Sequence, residues 1–178
     1  MSEIVIIAAR RTATGAFQGA LAEHSAADLG SRVIQALLKE SGVEASDISQ
    51  VIMGQVLTAG CGQNPARQSA LNAGLPVDTQ CLTVNKVCGS GLKAVHLGMQ
   101  ALKTGEAEFV IAGGQESMSN APHIATTSRS GTRLGNITLK DSLVSDGLWD
   151  AFNDYHMGIT AENVATEFGI SREMQDEY

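Results

Sequence analysis

The stretch Val84-Asn85-Lys86-Val87-Cys88-Gly89-Ser90-Gly91-Leu92-Lys93-Ala94 is decisive for the fold, because an apolar run ends at a thiol and a glycine-bracketed turn opens into a helix. The first N–H groups of a helix lack intrahelical partners and carry about half a positive charge, so an anion there is stabilised. The thiolate, not the thiol, is the nucleophilic form of cysteine. Two glycines beside the sulfur leave room for a substrate. The pattern therefore indicates a nucleophilic Cys88 at the start of a helix.

Two other interpretations of this stretch stay open. Cysteine is among the residue types most often buried as a small, inert hydrophobe. The pattern Gly89-x-Gly91-x-x-Ala94 between a strand and a helix also fits the glycine fingerprint of dinucleotide-binding folds. That fingerprint requires an acidic residue about 20 positions further on, at the end of the next strand. Glu106 and Glu108 instead precede the next apolar run, so the dinucleotide interpretation is the weaker one.

Apolar periodicity and turn residues predict alternating strands and helices along the chain. Strands are predicted at residues 4–8, 51–57, 82–87 and 109–112, and helices after the caps Ser25, Asn64 and Ser171, after Cys88, and at residues 160–168. In the helix after Cys88, one apolar stripe comprises Leu92, Val95, Met99 and Leu102. Strands that alternate with helices imply right-handed crossovers and a sheet covered on both faces.

Several longer motifs carry a family resemblance. Around the nucleophile, the order aliphatic, Asn, two residues, Cys, small, Ser, small, aliphatic is satisfied by residues 84–92. Further matching stretches are Ile7-Ala8-Ala9-Arg10-Arg11-Thr12, Gly62-Gln63-Asn64-Pro65-Ala66-Arg67-Gln68, Gly113-Gly114-Gln115-Glu116-Ser117-Met118-Ser119 and Tyr155-His156-Met157-Gly158-Ile159-Thr160-Ala161-Glu162-Asn163. In these motifs and their order the whole chain resembles the N-terminal half of the thiolase family, in its biosynthetic acetyl-CoA C-acetyltransferase branch.

The resemblance implies an α/β fold: a thiolase-like βαβαβαβ half, with a mixed sheet covered by helices on both faces, an inserted loop domain, and the C-terminal half absent. It divides the chain into a core half (1–118), a loop domain (119–158) that covers coenzyme A and carries a tetramerisation arm near 128–139, and the beginning of a further helical segment (159–178) that looks interrupted. The high density of Ser, Thr, Asn and Gly from about residue 117 to 154 also indicates an insertion.

The resemblance also implies the chemistry. The reaction is condensation of two acetyl-CoA to acetoacetyl-CoA, or the reverse thiolysis, through a cysteine acyl-enzyme. Cys88 is the predicted nucleophile that carries the acyl thioester, and its backbone N–H is a predicted donor to the oxyanion. Leu148, His156 and Met157 are the predicted coenzyme A contacts along the pantetheine tunnel, with ordinary core packing as the alternative. Coenzyme A or acetyl-CoA is then the substrate, and no permanently bound cofactor is expected.

The family's two catalytic bases come from a Gly-His-Pro motif and a Cys-Gly-Gly-Gly motif of the C-terminal half, and neither string occurs in this sequence. Because removing a general base lowers the rate by about 10² to 10⁴, we expect these residues alone to be nearly inactive. A truncation, a proteolytic fragment or a split enzyme with a complementary C-terminal half would each explain this. The alternatives are a degradative 3-ketoacyl-CoA thiolase, a ketoacyl synthase, which lacks the 155–158 string, and a non-enzymatic coenzyme A binding or assembly module.

Composition argues against several other function classes. The 178 residues include 43% hydrophobic and 17% charged residues with a net charge of −7, which disfavours nucleic acid as a partner. No segment approaches the roughly 18 apolar residues of a membrane span. The three cysteines and four histidines lack ligand spacing, which predicts no metal site. The N-terminus lacks a secretory pattern, so we expect a cytoplasmic protein. From the resemblance we also expect a homodimer or tetramer.

Overall fold

The computed structural model describes residues 3–178, which fall into two compact units: the first extends to Pro122 and the second comprises His123–Tyr178. The domain boundaries that the resemblance implies lie after residues 118 and 158. In the first unit the regular elements are α1 (Ala26–Ser41), β1 (Ile48–Gly54), α2 (Pro65–Asn72), β2 (Gln80–Val84), α3 (Ser90–Thr104) and β3 (Phe109–Gly114). In the second unit they are β4 (His123–Ile124), β5 (Lys140–Asp141), a π-helical segment (Leu143–Leu148), β6 (Trp149–Asp150), β7 (Tyr155–His156), α4 (Met157–Phe168) and α5 (Arg172–Glu177).

The first unit is built on a three-stranded sheet in the order β2-β1-β3. Both pairings are parallel, with Val51 of β1 opposite Cys81 on one side and Ile111 on the other. The resemblance implies a mixed sheet, whereas the three strands described in the first unit are all parallel. β1 and β2 also end earlier than predicted, at Gly54 and Val84. The residues that follow them leave the sheet and form loops at its carboxyl edge.

Helices cover both faces of this sheet, which confirms the predicted layering. Alternate residues of a strand point to opposite faces, and Val51 packs in one buried cluster with Ile34 of α1 and Ala70 of α2. On the other face, Gly98 of α3 lies against the side chain of Val110, so close that an added Cβ would be 3.0 Å from Cγ1 of Val110. The βαβ crossovers therefore alternate α2 and α3 across the sheet.

Local sequence signals fixed the ends of α1 as predicted. The Ser25 hydroxyl accepts a hydrogen bond from the N–H of Asp28, and the Asp28 carboxylate accepts one from the N–H of Ser25. This is a capping box, which satisfies donors that the helix itself leaves free. At the other end Gly42 adopts φ 69°, a left-handed conformation that glycine takes without a steric penalty.

The apolar stripe of α3 is not its buried face, contrary to what the pattern suggests. Leu92 is 78% exposed and Val95 is 41% exposed. The residues that bury against the sheet are small: Ser90, Ala94, Gly98 and Ala101. A helix that lies this close to a sheet has room only for small side chains on the contact face, so the larger aliphatic groups point away from it.

The predicted strand at residues 4–8 is wrong. This segment has no regular structure, and the side chains of Val5, Ile6 and Ile7 are 62%, 82% and 56% exposed. A strand requires a neighbour to satisfy its N–H and C=O groups, and no described strand pairs with this segment. An apolar run alone does not make a buried strand.

The second unit consists of two short antiparallel pairings and two helices. His123 of β4 pairs with Asp141 of β5, and Trp149 of β6 pairs with His156 of β7. Between β4 and β5 lies a long segment without strands or helices in which Leu134 is 96% exposed. That this segment is part of an insertion, and the roles predicted for it, remain predictions.

Candidate active site

Cys88 lies on a tight turn at the carboxyl edge of the parallel sheet, and its thiol is exposed. β2 ends at Val84, α3 begins at Ser90, and residues 85–89 connect them. The N-cap residue of α3 is Gly89, so one residue separates Cys88 from the first residue of the helix, Ser90. This edge is where open α/β sheets bind their ligands, because the loops that follow the strands converge there.

The turn is closed by hydrogen bonds that involve the side chains on either side of the thiol. The Ser90 hydroxyl accepts from the Lys86 N–H at 2.8 Å and donates to the Val87 carbonyl at 2.5 Å. The Val87 N–H donates to Oδ1 of Asn85 at 2.9 Å, and the Gly89 N–H donates to the Lys86 carbonyl at 3.2 Å. The backbone that carries Cys88 is thus tied at both ends.

This closure holds Val87 in a conformation that valine avoids. Its φ is 50°, in the left-handed region. For a β-branched residue that region is a genuine outlier, and it raises the energy of the turn by roughly 1–2 kcal/mol. Strained backbone of this kind persists only where the surrounding contacts enforce it, and it is concentrated at functional sites.

Three glycines bring the start of α3 onto the ends of the central strands. A Cβ on Gly54 at the end of β1 would lie 2.6 Å from the Gly91 nitrogen and 2.7 Å from Cβ of Ser90. A Cβ on Gly114 at the end of β3 would lie 3.3 Å from Cα of Gly91. At Gly54 only a residue without a side chain permits this approach, so the amino end of α3 and the adjoining thiol turn pack directly onto the end of β1.

An open cavity of about 480 Å³ borders the same turn through Asn85. It lies between the end of β2 and the N-terminus of α2, with Thr83 and Asn64 among its lining residues. Oδ1 of Asn64 accepts from the Thr83 hydroxyl at 2.7 Å, while its Nδ2 donates to the Cys81 carbonyl at 3.0 Å. These contacts fix the cavity wall, and leave room beside the thiol turn for part of a substrate.

Glu116 ties the loops that follow β1 and β3 to each other. Its carboxylate accepts from the N–H of Val56 at 2.8 Å and from the N–H of Leu57 at 3.2 Å. Burial raises the pKa of Glu116 above its usual value because desolvation disfavours the charged form, although the two N–H donors act in the opposite direction. A buried amide pair lies beside it, where Nε2 of Gln115 donates to Oε1 of Gln55 at 2.9 Å.

The thiols of Cys61 and Cys81 are less accessible than that of Cys88. Burial raises the pKa of the Cys81 thiol, against the opposing influence of the Arg67 guanidinium. Sγ of Cys61 lies 3.4 Å from the Leu57 carbonyl and 3.5 Å from Nε2 of Gln55. Both thiols are partly buried, whereas Cys88 is exposed.

Leu148, His156 and Met157 are brought together in the second unit. Leu148 ends the π-helical segment and adjoins β6, where Trp149 pairs directly with His156. Met157 is the first residue of α4, and His156 is its N-cap, with Nδ1 accepting from the Gly158 N–H at 3.0 Å. His156 is exposed, while Leu148 and Met157 are half-buried. The hairpin thus presents one imidazole and two apolar side chains within a short segment.

Comparison with known proteins gives the family. Residues 4–178 match the family described as Thiolase, N-terminal domain. The chain belongs to the thiolase family. It is 62% identical over 178 residues to a probable acetyl-CoA acetyltransferase of Escherichia coli K12, and 58% identical over 178 residues to an acetyl-CoA acetyltransferase of Pseudomonas aeruginosa. Each alignment covers 100% of this chain and 45% of the relative, so the chain spans about half the length of these curated thiolases.

The family match confirms the resemblance and sets aside the dinucleotide-binding and ketoacyl synthase interpretations. Within residues 3–178 no group of three histidine, cysteine or acidic side chains is arranged to hold a metal ion. None of the helices described for this thiolase chain is long and apolar enough to cross a bilayer.

Sequence reasoning did not find the role of Ser90 in the thiol turn or that of Glu116 in the loops that follow β1 and β3. The roles of the Ser90 hydroxyl and the Glu116 carboxylate depend on contacts with backbone groups, which periodicity does not reveal. The available signal for Glu116 was its position: a polar Gln-Glu pair directly follows the Gly113-Gly114 end of an apolar strand. Side chains at such strand ends commonly serve a site at the carboxyl edge.

Proposed function

We propose that this chain carries the nucleophile of an acetyl-CoA C-acetyltransferase. The observation that carries the proposal is the exposed Cys88 thiol on a closed turn at the start of α3, at the carboxyl edge of a parallel sheet. The close relatives named acetyl-CoA acetyltransferase support the choice of acetyl-CoA as substrate. The Cys88 thiolate attacks the thioester carbonyl, a new S–C bond forms, and coenzyme A leaves as its thiolate and takes up a proton.

The tetrahedral intermediate of this step carries its negative charge on the former carbonyl oxygen. The N–H of Cys88 and the positive amino end of α3 are the proposed source of its stabilisation, while the Ser90 N–H itself donates to the Val87 carbonyl at 3.0 Å. The neighbouring cavity at Asn85 offers space for the bound substrate. A covalent thioester then divides one difficult displacement into two easier steps.

Leu148, His156 and Met157 are the proposed coenzyme A contacts. Two half-buried apolar side chains suit the aliphatic parts of pantetheine, and the exposed imidazole of His156 offers a hydrogen-bonding group beside them. Further parts of the proposal are the coenzyme A cover by residues 119–158, a tetramerisation arm near 128–139, homo-oligomeric assembly, a cytoplasmic location, and the absence of a permanently bound cofactor.

Acetylation by acetyl-CoA tests the catalytic proposal directly. The 178-residue chain is incubated with acetyl-CoA, and intact-mass and peptide mass spectrometry locate the added acetyl group. We expect one acetyl group on Cys88, none in Cys88→Ser, and an unchanged adduct in the matched control Cys81→Ser. Acetylation elsewhere, or an adduct that persists in Cys88→Ser, would refute the assignment.

A coenzyme A binding module without turnover is the second candidate, because Leu148, His156 and Met157 offer contacts for coenzyme A that need no reaction at Cys88. Cleavage of acetoacetyl-CoA separates the two. We expect a stable acetyl-enzyme but very slow turnover by these residues alone, and restored turnover when a complementary C-terminal half is added. Protection of Cys88 from iodoacetamide by acetyl-CoA, without any acetylation, would favour the binding module.

A further inference from the structure

The Ser90 side chain is directed backwards into the thiol turn and does not cap its own helix. Only 4% of Ser90 is exposed. It is the first residue of α3, whereas the N-cap is Gly89, and no side chain caps the helix there. Both hydrogen bonds that the hydroxyl makes inside the turn go to residues before Cys88: it accepts from the Lys86 N–H and donates to the Val87 carbonyl. Ordinary helix capping therefore does not explain this buried hydroxyl.

One of the two hydroxyl bonds of Ser90 ends on Val87 and the other on Lys86 before it. The Val87 carbonyl also accepts from the Ser90 N–H at 3.0 Å, and the Val87 N–H donates to Asn85. Val87 has φ 50° and its side chain is 49% exposed, so packing does little to hold it. An unstrained valine would return to negative φ, and this rotation would move the peptide that connects it to Cys88. Because the hydroxyl fixes both the N–H of Lys86 and the carbonyl of Val87, it opposes that rotation.

Ser90 can act in this way because its own backbone is fixed. Gly54 at the end of β1 contacts the Ser90 and Gly91 backbone so closely that a Cβ would not fit between them. The first residue of α3 is thus positioned by the sheet, and its hydroxyl transfers that position to the strained turn. The sequence of contacts runs from β1 through Ser90 to Val87 and ends at the thiol of Cys88.

We infer that Ser90 is a positioning residue for the nucleophile. Its hydroxyl holds Val87 in the left-handed conformation, and this conformation directs Cys88 outward just before the start of α3. This inference rests on the proposed role of Cys88 in acyl transfer. It assigns no contact between Ser90 and the substrate, and it makes Val87 the residue through which Ser90 acts. A glycine at position 87, which adopts this φ without strain, should then make the hydroxyl dispensable.

A double-mutant cycle tests this coupling. The second-order rate of Cys88 alkylation by iodoacetamide and the rate of acetylation by acetyl-CoA are measured for the wild type, Ser90→Ala, Val87→Gly and the double variant. Thr104→Ala is the matched control, because it removes a hydroxyl that bonds to backbone carbonyls at the other end of α3. We expect Ser90→Ala to slow both reactions about five- to tenfold, the factor that corresponds to one lost hydrogen bond. The double variant should recover to within about threefold of the wild type, as expected for coupled neighbours.

The outcomes separate this inference from the proposed function. A Ser90→Ala rate within twofold of the control, or a double variant as slow as Ser90→Ala, overturns the inference. If Ser90→Ala does not fold, as judged by circular dichroism, the double variant decides: a folded protein with fast alkylation supports the coupling, and an unfolded or slow one refutes it. If acetyl-CoA acetylates no variant but the alkylation cycle shows the coupling, the proposed function fails while the positioning role stands.

Discussion

Replacing Gly54 with alanine should disturb both the stability of the first unit and the position of Cys88. An added Cβ would lie 2.6 Å from the Gly91 nitrogen and 2.7 Å from Cβ of Ser90. The nearest atom, the Ser90 carbonyl carbon, would be closer still, so reaching ordinary contact at 3.4 Å requires the start of α3 to move by about 1 Å. The obstacle is backbone rather than the tip of a flexible side chain, so no rotamer change relieves it.

The expected magnitude follows from two opposing contributions. Overpacking of a well-packed interior lowers the free energy of unfolding by about 1–3 kcal/mol. Replacing glycine by alanine raises it by about 0.4–1 kcal/mol, because the unfolded chain loses conformational freedom. The net loss of roughly 1–2 kcal/mol corresponds to a fall in Tm of about 2–8 °C for a chain of this size. A displacement approaching 1 Å at the nucleophile slows acyl transfer by up to about 10²-fold.

Gly113→Ala is the matched control for Gly54→Ala. Gly113 lies on the neighbouring strand, opposite Met53, and a Cβ there would meet nothing within 4 Å. Both variants are followed by thermal unfolding and by the rates of Cys88 alkylation and acetylation. We expect Gly113→Ala to behave like the wild type. If Gly54→Ala melts at the same temperature as the control and its Cys88 reacts equally fast, the packing of α3 onto β1 does not position the thiol.

Three further predictions concern caps, titration and loops. Ser25→Ala breaks the capping box with Asp28 and should lower the free energy of unfolding by about 0.5–2 kcal/mol, measured in urea; an unchanged midpoint would contradict the cap. The folded-state pKa of Glu116 is raised above its usual 4.5, so its contribution to stability is fully present in acid and is lost as pH rises through the raised value. The Tm of the wild type minus the Tm of Glu116→Gln should therefore decrease as the pH rises. A Tm difference that stays constant or increases with pH refutes this. The guanidinium of Arg67 donates to two carbonyls in the loop before β2. Lysine cannot donate to both from one planar group, so Arg67→Lys should lower the free energy of unfolding by about 1–2 kcal/mol. Equal urea midpoints for the variant and the wild type would contradict this.

Helix ends were predictable because the chemistry that fixes them is local. Ser25 and Asp28 satisfy one another and the first turn of α1 whatever the remainder of the chain does. Pro65 and Gly42 are likewise local signals, for the first residue of α2 and for the end of α1. These signals need no tertiary contact, so sequence alone is sufficient to place them.

The buried face of α3 was not predictable from its apolar pattern. Hydrophobicity gives most weight to Leu92 and Val95, yet the distance between helix and sheet decides which residues fit. Gly98 and Ala94 permit a close approach and are buried, while Leu92 and Val95 are exposed. The strand predicted at residues 4–8 is wrong for a related reason, because an apolar run forms a strand only where another strand supplies its hydrogen bonds.

The candidate nucleophile itself was predictable, whereas the means of holding it was not. The Cys-Gly-Ser-Gly string places a thiol at a strand-to-helix turn, and the structure does place Cys88 there. The left-handed φ of Val87 has no sequence signal, since valine is among the residues least expected there. It follows from a tertiary contact, the approach of Gly54 to the start of α3, which fixes Ser90 and through it the turn.

The contacts of this turn place the proposed reactive group before any substrate binds. All of them are made within the first unit. They are the close approach of Gly54 to the start of α3, the bonds of the Ser90 hydroxyl, and the bond from the Val87 N–H to Asn85. A group that is already oriented does not lose orientational freedom during reaction, which is the main advantage of a preorganised site. The strain at Val87 is then a consequence of this arrangement, because a relaxed turn at the same sheet edge would orient the thiol differently. Reactivity of Cys88 towards a small alkylating reagent should therefore depend on Gly54, Ser90 and Val87 even when no acyl-CoA is present.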